Sequence, residues 1–417
     1  MRILVIGAGV SGLTCATQLA PSHDVTVLEA RNRLGGRVWS YDLSGVTVDL
    51  GGSWIHGPVG NPIMSLVDQA GISYFNDGEF GDGSRMWMPG AGWAAAELSH
   101  LWHFDRLAAA AALGGDGSYK DGVDWFIKDR RFDPQTAKYF EFITNWLEGN
   151  LNQAGQPESI SLAGAASYLE YEGGNLVPVG GYGAVVRYLA EVLVAAGVST
   201  HLTERVLAIE HGGRQAVVST TATTYRADRV VVTVPLGVLK AGTIAFDPPL
   251  PASRQAAIAR MQMGTVEKVV VSFSEVFWPH KRMYYYSDDH RFPAWIDITQ
   301  HLDRPSLVCF YNPVSTPAIA ALSAPDRVAP AITVLTEMLG RPLPVPVAAV
   351  ATDWRNDPLA RGSYSYGALG SSPDDMRLCS QPVSDLLYFA GEHTIPENFG
   401  TVHGAYESGR RTAHAIN

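Results

Sequence analysis

The sequence predicts an α/β protein built around a Rossmann-like parallel sheet, accompanied by a second part of mixed α+β character. Three observations point there: a glycine-bearing strand, turn, helix and strand unit at residues 2 to 29, strand-like runs that return far downstream, and a composition rich in apolar residues. The chain has 417 residues, room for two or three units of roughly 150 residues each. Charged residues are only 17% and hydrophobic residues 46%, so much of the chain must be buried or line a large apolar cavity. A formal net charge of −10 disfavours a phosphate-tracking surface, and no nucleic-acid partner is expected.

The first element is the β-branched run Ile3-Leu4-Val5-Ile6, followed by Gly7, Gly9 and Gly12 and a helix-compatible stretch from Leu13 to Leu19. Val25 to Leu28 then makes a second strand ending at Glu29, which completes a βαβ unit needing cover on both faces. Strand patterns return at Arg229 to Val234 and at Leu386 to Ala390, so the sheet is gathered from distant segments. Between them lie stretches of another kind. Residues 76 to 175 hold Trp87, Trp93, Trp102, Trp125 and Trp146, with helices expected over Ala94 to Leu113 and Pro134 to Leu147. Residues 251 to 354 hold strand-like runs at Lys268 to Phe273, Met283 to Tyr286 and Ser306 to Tyr311, and a helix from about Asp326 to Leu339.

Cys15, Cys309 and Cys379 are odd in number and too far apart for metal or redox spacing, which fits a reducing compartment. Glycines interrupt the apolar start where a secretion signal is continuous, and the run from Val230 to Leu239 is too short to span a bilayer. A soluble, cytoplasmic protein is therefore expected, with no membrane partner. His100 and His103 have i, i+3 spacing, but no nearby cysteine or acid completes a zinc set, so no metal is expected. The Tyr284-Tyr285-Tyr286 run reads as strand packing rather than a platform for bases.

The chemistry is carried by a few segments. In Gly7-Ala8-Gly9-Val10-Ser11-Gly12 the first glycine makes the turn, the second lets a pyrophosphate approach the backbone, and the third permits close packing. Glu29 stands where a carboxylate accepts hydrogen bonds from a ribose diol. This motif alone does not separate NAD from FAD.

The next segment does. Glu29-Ala30-Arg31-Asn32-Arg33-Leu34-Gly35-Gly36-Arg37 resembles the dinucleotide-binding extension of the flavin amine oxidase family, in which paired glycines and a basic residue follow the cofactor diphosphate. Asp49 to Gly57, with Gly52, Ser53, Trp54 and His56, is similar to the family's flavin-contacting loop, and the His56-Gly57 pair looks like that of polyamine oxidases. Leu387 to Thr394 and Gly400 to Ala405 resemble the C-terminal signature shared by lysine-specific histone demethylases and polyamine oxidases. There Gly391-Glu392 would present a carboxylate to the ribityl hydroxyls, and Thr401-Val402 at a helix start would offer backbone N–H groups to the flavin's pyrimidine edge. Asp353 to Pro358 and Arg361 to Tyr366 extend the likeness: Trp354 would pack by the flavin and Tyr364 would face the amine. Val206 is placed with the cofactor residues.

Where monoamine oxidases carry the cysteine that tethers flavin, this chain has Ser363, which implies non-covalent FAD. Their second cage tyrosine is replaced by Thr401, leaving half of the aromatic sandwich. Lys268 matches the family's lysine that reaches flavin N5 through water, in a chain with six lysines among 31 basic residues. It is the expected catalytic residue. His56, Tyr364, Thr401 and Glu172 are the expected substrate contacts; Glu170 and Glu172 are candidates to meet a second ammonium, the alternative being that both are simply solvated.

The resemblance implies a discontinuous FAD-binding domain at 1–75, 177–250 and 357–417, and a substrate-binding domain at 76–176 and 251–356. It implies an amine oxidase that moves a hydride from the amine α-carbon to flavin N5, releases an imine to hydrolysis and returns electrons to O2 as hydrogen peroxide. The weak lean is toward polyamines. Other readings are an L-amino-acid oxidase, which needs a pocket arginine, a desaturase or porphyrinogen oxidase of the same fold, and a non-catalytic chromatin scaffold.

Overall fold

Strand Arg2–Ile6 lies at the centre of a five-stranded sheet, ordered Ser199–His201, Asp24–Leu28, Arg2–Ile6, Arg229–Val232 and Leu387–Phe389. Every pairing is parallel, and Val5 sits between Val27 and Val231. The computed structural model describes all residues except 79–83, 91, 95–103, 279–281 and 287–290. Side chains alternate across a strand, so Ile3 and Val5 enter the core that holds Leu13 and Ala16 of helix Val10–Leu19, while Leu4 and Ile6 join a second core with Val230 and Val232. Both faces are covered, which is why the strand reads as continuously apolar.

Close approach fixes the helices. A Cβ at Gly12 would stand 2.0 Å from the Gly7 carbonyl oxygen, and one at Gly409 would stand 2.3 Å from that of Ser11. Helix Val402–Ile416 can therefore lie directly on Val10–Leu19. The Ser11 hydroxyl is 2.8 Å from that of Ser408, which in turn accepts the Gly391 amide. Ser11, expected at the cofactor, thus uses its hydroxyl to join the two helices.

A second sheet has seven strands, with Glu267–Ser272 between Ala348–Ala351 and Ser306–Tyr311. The same alternation sends Val269 and Val271 toward helix Val328–Leu339 and turns Val270 toward Leu50 and Trp54. Lys268 shares the face of Val270 by this period. Tyr284 and Tyr285 are buried in strand Arg282–Tyr285, as the packing reading expects.

The helical segments differ from expectation at three places. The stretch expected from Ala94 is a helix over Arg106–Ala112, started by the Asp105 carboxylate on the Ala108 amide; residues 95–103, with His100 and His103, lie outside the described residues. The helix expected from Asp326 opens with a tight turn at Pro325–Arg327 and runs from Val328. Pro134–Glu141 begins under the Asp133 cap and then widens into an 11-residue π-helix, Phe142–Asn152. There the Thr144 hydroxyl takes the Phe140 carbonyl, a local competitor for the helix ladder. π-Turns are rare and concentrate at functional sites.

No helix among the described residues is long and apolar enough to cross a membrane, and none of them form a cluster of three or more potential metal ligands.

Behind Trp54 lies a buried hub. Asp77 accepts from the Trp54 indole at 3.0 Å, from Arg282 at 3.0 Å and from Gln300 at 3.0 Å. Asp77 and Arg282 are both fully buried, so the pair stands in low dielectric. Asp77→Ala, which deprives Arg282 of this carboxylate, is expected to cost about 3 kcal/mol, read from denaturant unfolding. A loss under about 1 kcal/mol would count the pair among weak surface bridges.

Candidate active site

The glycine turn and the flavin-type loops meet on one cavity of about 830 Å³. At one end Gly9 caps helix Val10–Leu19 without any side-chain hydrogen bond, and no acid stands in the first turn. The first amides of the helix are left for an anion. Gly9 itself borders open space, since a Cβ there would meet no atom within 4 Å, and Gly36, at φ +59°, lies beside it. Glu29 accepts from the Ala8 amide at 2.8 Å and the Arg31 amide at 2.7 Å, which pins its carboxylate at the rim. Arg31 forks onto both oxygens of Asp357 at 2.9 and 2.8 Å. Ala30, Gly35, Gly52, Val206 and Gly391 also line the cavity; Gly12 lies behind it as the packing glycine. An unfilled helix N-terminus facing a ribose-type acid fits a dinucleotide.

In the middle, Arg37 reaches Glu392 at 2.7 Å and the Ser363 carbonyl at 3.0 Å. Glu392 also accepts from the Ser365 hydroxyl at 2.6 Å and the Gly400 amide at 2.8 Å. Burial opposes its ionisation, but the Arg37 guanidinium, with His393 and Ser365, outweighs that and holds the carboxyl below its ordinary value. The carboxylate expected to meet the ribityl chain is thus already engaged by protein donors. Trp354 donates its indole to the Leu50 carbonyl at 3.0 Å and stands on the lining.

Lys268 stands on the same lining, held by acceptors of its own chain. Its ammonium donates to the Asp49 carbonyl at 3.1 Å, the Gly51 carbonyl at 2.6 Å and the Ser53 hydroxyl at 2.6 Å. These contacts tie strand Glu267–Ser272 to the 49–53 loop, with Lys268 on the cavity lining. The Trp54 and Phe310 rings lie 5.6 and 5.1 Å from it. Burial pushes its value from 10.5 down to about 8, against the pull of Asp49.

At the far end Tyr364 donates to the Leu151 carbonyl, beside Tyr168, Phe399 and Leu169. Thr401 lines the cavity, but its hydroxyl is spent as a helix cap, donating to Asn398 and accepting from Gly404. His56 stands on the wall with Nδ1 2.7 Å from Asn175 and its ring exposed to the cavity, where the surrounding protein mass lowers its value. Glu172 does not line the cavity: it is exposed, and its backbone pairs with Val59. Glu170 lines it instead, in an ion pair with Arg106.

Several residues here escaped the sequence. Glu148 lines the wall from the π-helix, accepts from the Tyr119 phenol at 3.2 Å, and is pushed by burial up to about 7. His403 is pushed by burial and by His56 down to about 3. It was inside the C-terminal motif, so it was the one most open to discovery. Arg106 and Glu148 carried no motif at all.

The model of the flavin-containing amine oxidoreductases matches residues 10–92 and 116–417. The chain belongs to that family. The family is one of flavin-containing enzymes. Polyamine oxidase 4 of Oryza sativa subsp. japonica is 28% identical over 98% of this chain and 86% of that protein. The lysine-specific histone demethylase 1 homolog 3 of Arabidopsis thaliana is 30% identical over the whole of this chain, which spans only 30% of that protein's length. A solved putrescine oxidase, wild type bound to putrescine, superposes with a TM-score of 0.82 at 25% identity, covering 100% of this chain and 99% of that one.

The buried ammonium predicts a pH signature. Below pH 8 Lys268 is charged in both states, and its burial costs stability. Between about 8 and 10.5 the unfolded chain holds a proton that the folded chain has released, so stability rises with pH across that window. Lys268→Met is expected to lack this rise in denaturant midpoints measured on both sides of pH 8; parallel slopes for the two proteins would refute the assignment.

Proposed function

We propose that this chain is a FAD-dependent amine oxidase acting on a small amine, with diamines or polyamines as the class. When bound, FAD supplies the two-electron acceptor for a C–N bond, so that an imine forms and is hydrolysed, and O2 takes the electrons to hydrogen peroxide. The observation that carries the reading is one continuous cavity, running from an uncapped helix N-terminus to a wall of Tyr364, Tyr168, Glu148 and Glu170.

The residues divide the work. Gly9, Glu29 and Arg31 hold the nucleotide end, and Arg37 with Glu392 fixes the loops around the middle. Lys268 shapes the 49–53 loop. Ser363 has no thiol to offer, and its hydroxyl accepts the Val266 amide at 3.1 Å, which supports a non-covalent flavin. The phenols of Tyr364 and Tyr168 are raised by burial and stay neutral, and His56 and His403 lean to their neutral forms. A cavity with these walls favours an uncharged amine at the reacting end, because a buried cation loses hydration.

Glu170 replaces Glu172 as the acid for a second nitrogen. The amino-acid oxidase reading asks for a free cavity arginine near the substrate end; Arg106 is paired with Glu170, Arg37 with Glu392 and Arg31 with Asp357. Substrate class is also supported by the relatives, whose names include polyamine oxidases and a putrescine oxidase.

Two outcomes are expected. Acid precipitation of the yellow holoenzyme leaves the flavin in the supernatant; pigment that stays with the pellet would mean a covalent link. Anaerobic 1,4-diaminobutane bleaches the flavin, and Glu170→Gln raises the apparent Kd for the diamine about tenfold more than for a monoamine, as loss of one charged hydrogen bond should. Faster bleaching by an amino acid than by its decarboxylated amine would overturn the reading.

A further inference from the structure

Among the described residues, the ion pair on the cavity with the fewest supporting contacts is that of Arg106 and Glu170. Arg31 forks onto both oxygens of Asp357, and Glu392 gathers Ser365 and Gly400 besides Arg37. Arg106 meets Glu170 through one nitrogen and one oxygen, and neither side chain makes another hydrogen bond to a described residue. The two are unequally placed: the Arg106 side chain is 16% exposed and that of Glu170 66%. The cation sits inside the lining and its partner faces water.

Arg106 also faces a second acid. Glu148 lines the same wall, feels the charge of both Arg106 and Glu170, and accepts from the Tyr119 phenol. Three separate stretches bring these groups together: Arg106 opens helix Arg106–Ala112, Glu148 belongs to the π-helix, and Glu170 follows helix Leu162–Ala166. Burial opposes the charge of Arg106, but Glu170 and Glu148 outweigh it and keep the guanidinium protonated. The other titratable neighbours carry no charge, since burial raises the phenols of Tyr119 and Tyr168 and lowers His56. The wall therefore holds two acids and one base. Once Glu148 is ionised, above about 7, two negative charges against one positive leave a single negative charge.

We propose that Arg106 is a specificity-determining residue, a resident cation that neutralises one of the wall's two acids and leaves charge for a single remote ammonium, that of a diamine. This rests on the amine-oxidation reading. The reacting nitrogen enters uncharged, so a diamine brings one cation to the wall and a triamine brings two. The second ammonium of a triamine would stand near the fixed guanidinium with no uncompensated acid left to receive it. Discrimination then comes from repulsion of the wrong substrate and not from an added attraction to the right one. An ion pair this open to water contributes little to the fold, so removal of the arginine is expected to appear in substrate choice and not in stability.

The test is calorimetric binding of 1,4-diaminobutane and of its N-(3-aminopropyl) derivative, a triamine, to the anaerobic, dithionite-reduced holoenzyme, in which neither amine turns over. The pH is held above the value of Glu148. The wild type should bind the diamine more tightly than the triamine. In Arg106→Gln the ratio of the two Kd values should move toward the triamine by about tenfold, the share of one charged contact, while in Arg106→Lys it stays as in the wild type. The double variant Arg106→Gln, Glu170→Gln restores the single negative charge and should return the ratio to that of the wild type. An unchanged ratio in Arg106→Gln would overturn the proposal, and so would equal weakening of both amines, since the arginine would then only position Glu170. A wild type that prefers the triamine overturns it without any variant. An oxidised wild-type flavin that no amine reduces defeats the amine reading itself, a result distinct from all of these.

Discussion

The ion pair between Arg37 and Glu392 joins residues 355 positions apart, and the rest of the site is arranged around it. Glu392 would be forced toward neutrality by burial alone. Arg37 reverses that, and the charged carboxylate then collects Ser365 and Gly400. Four separate stretches of chain, near 37, 365, 392 and 400, are thereby held at one point. Such a bond is worth little as net stability, because desolvation consumes most of the Coulombic gain. Its value is geometric: it sets where the loops that border the cavity may stand.

The same desolvation acts on several groups of the lining. Lys268 is lowered to about 8, His403 to about 3, and Glu148 is raised to about 7, each moving toward its uncharged form. Where a charge persists it has a close partner, as with Arg106 on Glu170 or Arg31 on Asp357. The cavity therefore selects protonation states before any particular contact is made.

What could be read from the sequence was whatever local sterics or a compact motif encodes. Gly7 and Gly12 announced their turn because a side chain fits neither the φ of +103° at the first nor the 2.0 Å approach at the second, while Gly9 keeps open space beside the helix start, and Glu29 followed from its place at a strand end. The parallel sheet was visible because strands buried on both faces are uninterrupted apolar runs. Lys268 was recognisable as a residue, but its partners come from a loop some 215 positions away and could not be inferred from the strand. Glu170 and Glu172 illustrate another limit. They are two positions apart in an irregular connection, where no period tells which one faces inward. The π-helix was hidden for a related reason, since helical composition does not reveal a change of turn width, and Glu148 meets the cavity only through that change.

Glu29 keeps both of its oxygens on backbone amides of its own motif. Fixed in that way, the carboxylate cannot swing aside. A nucleotide bearing an additional phosphate on its adenosine ribose would bring like charge against an acid that has nowhere to go. Two short backbone contacts would thus set a rule of discrimination between dinucleotides with and without that phosphate.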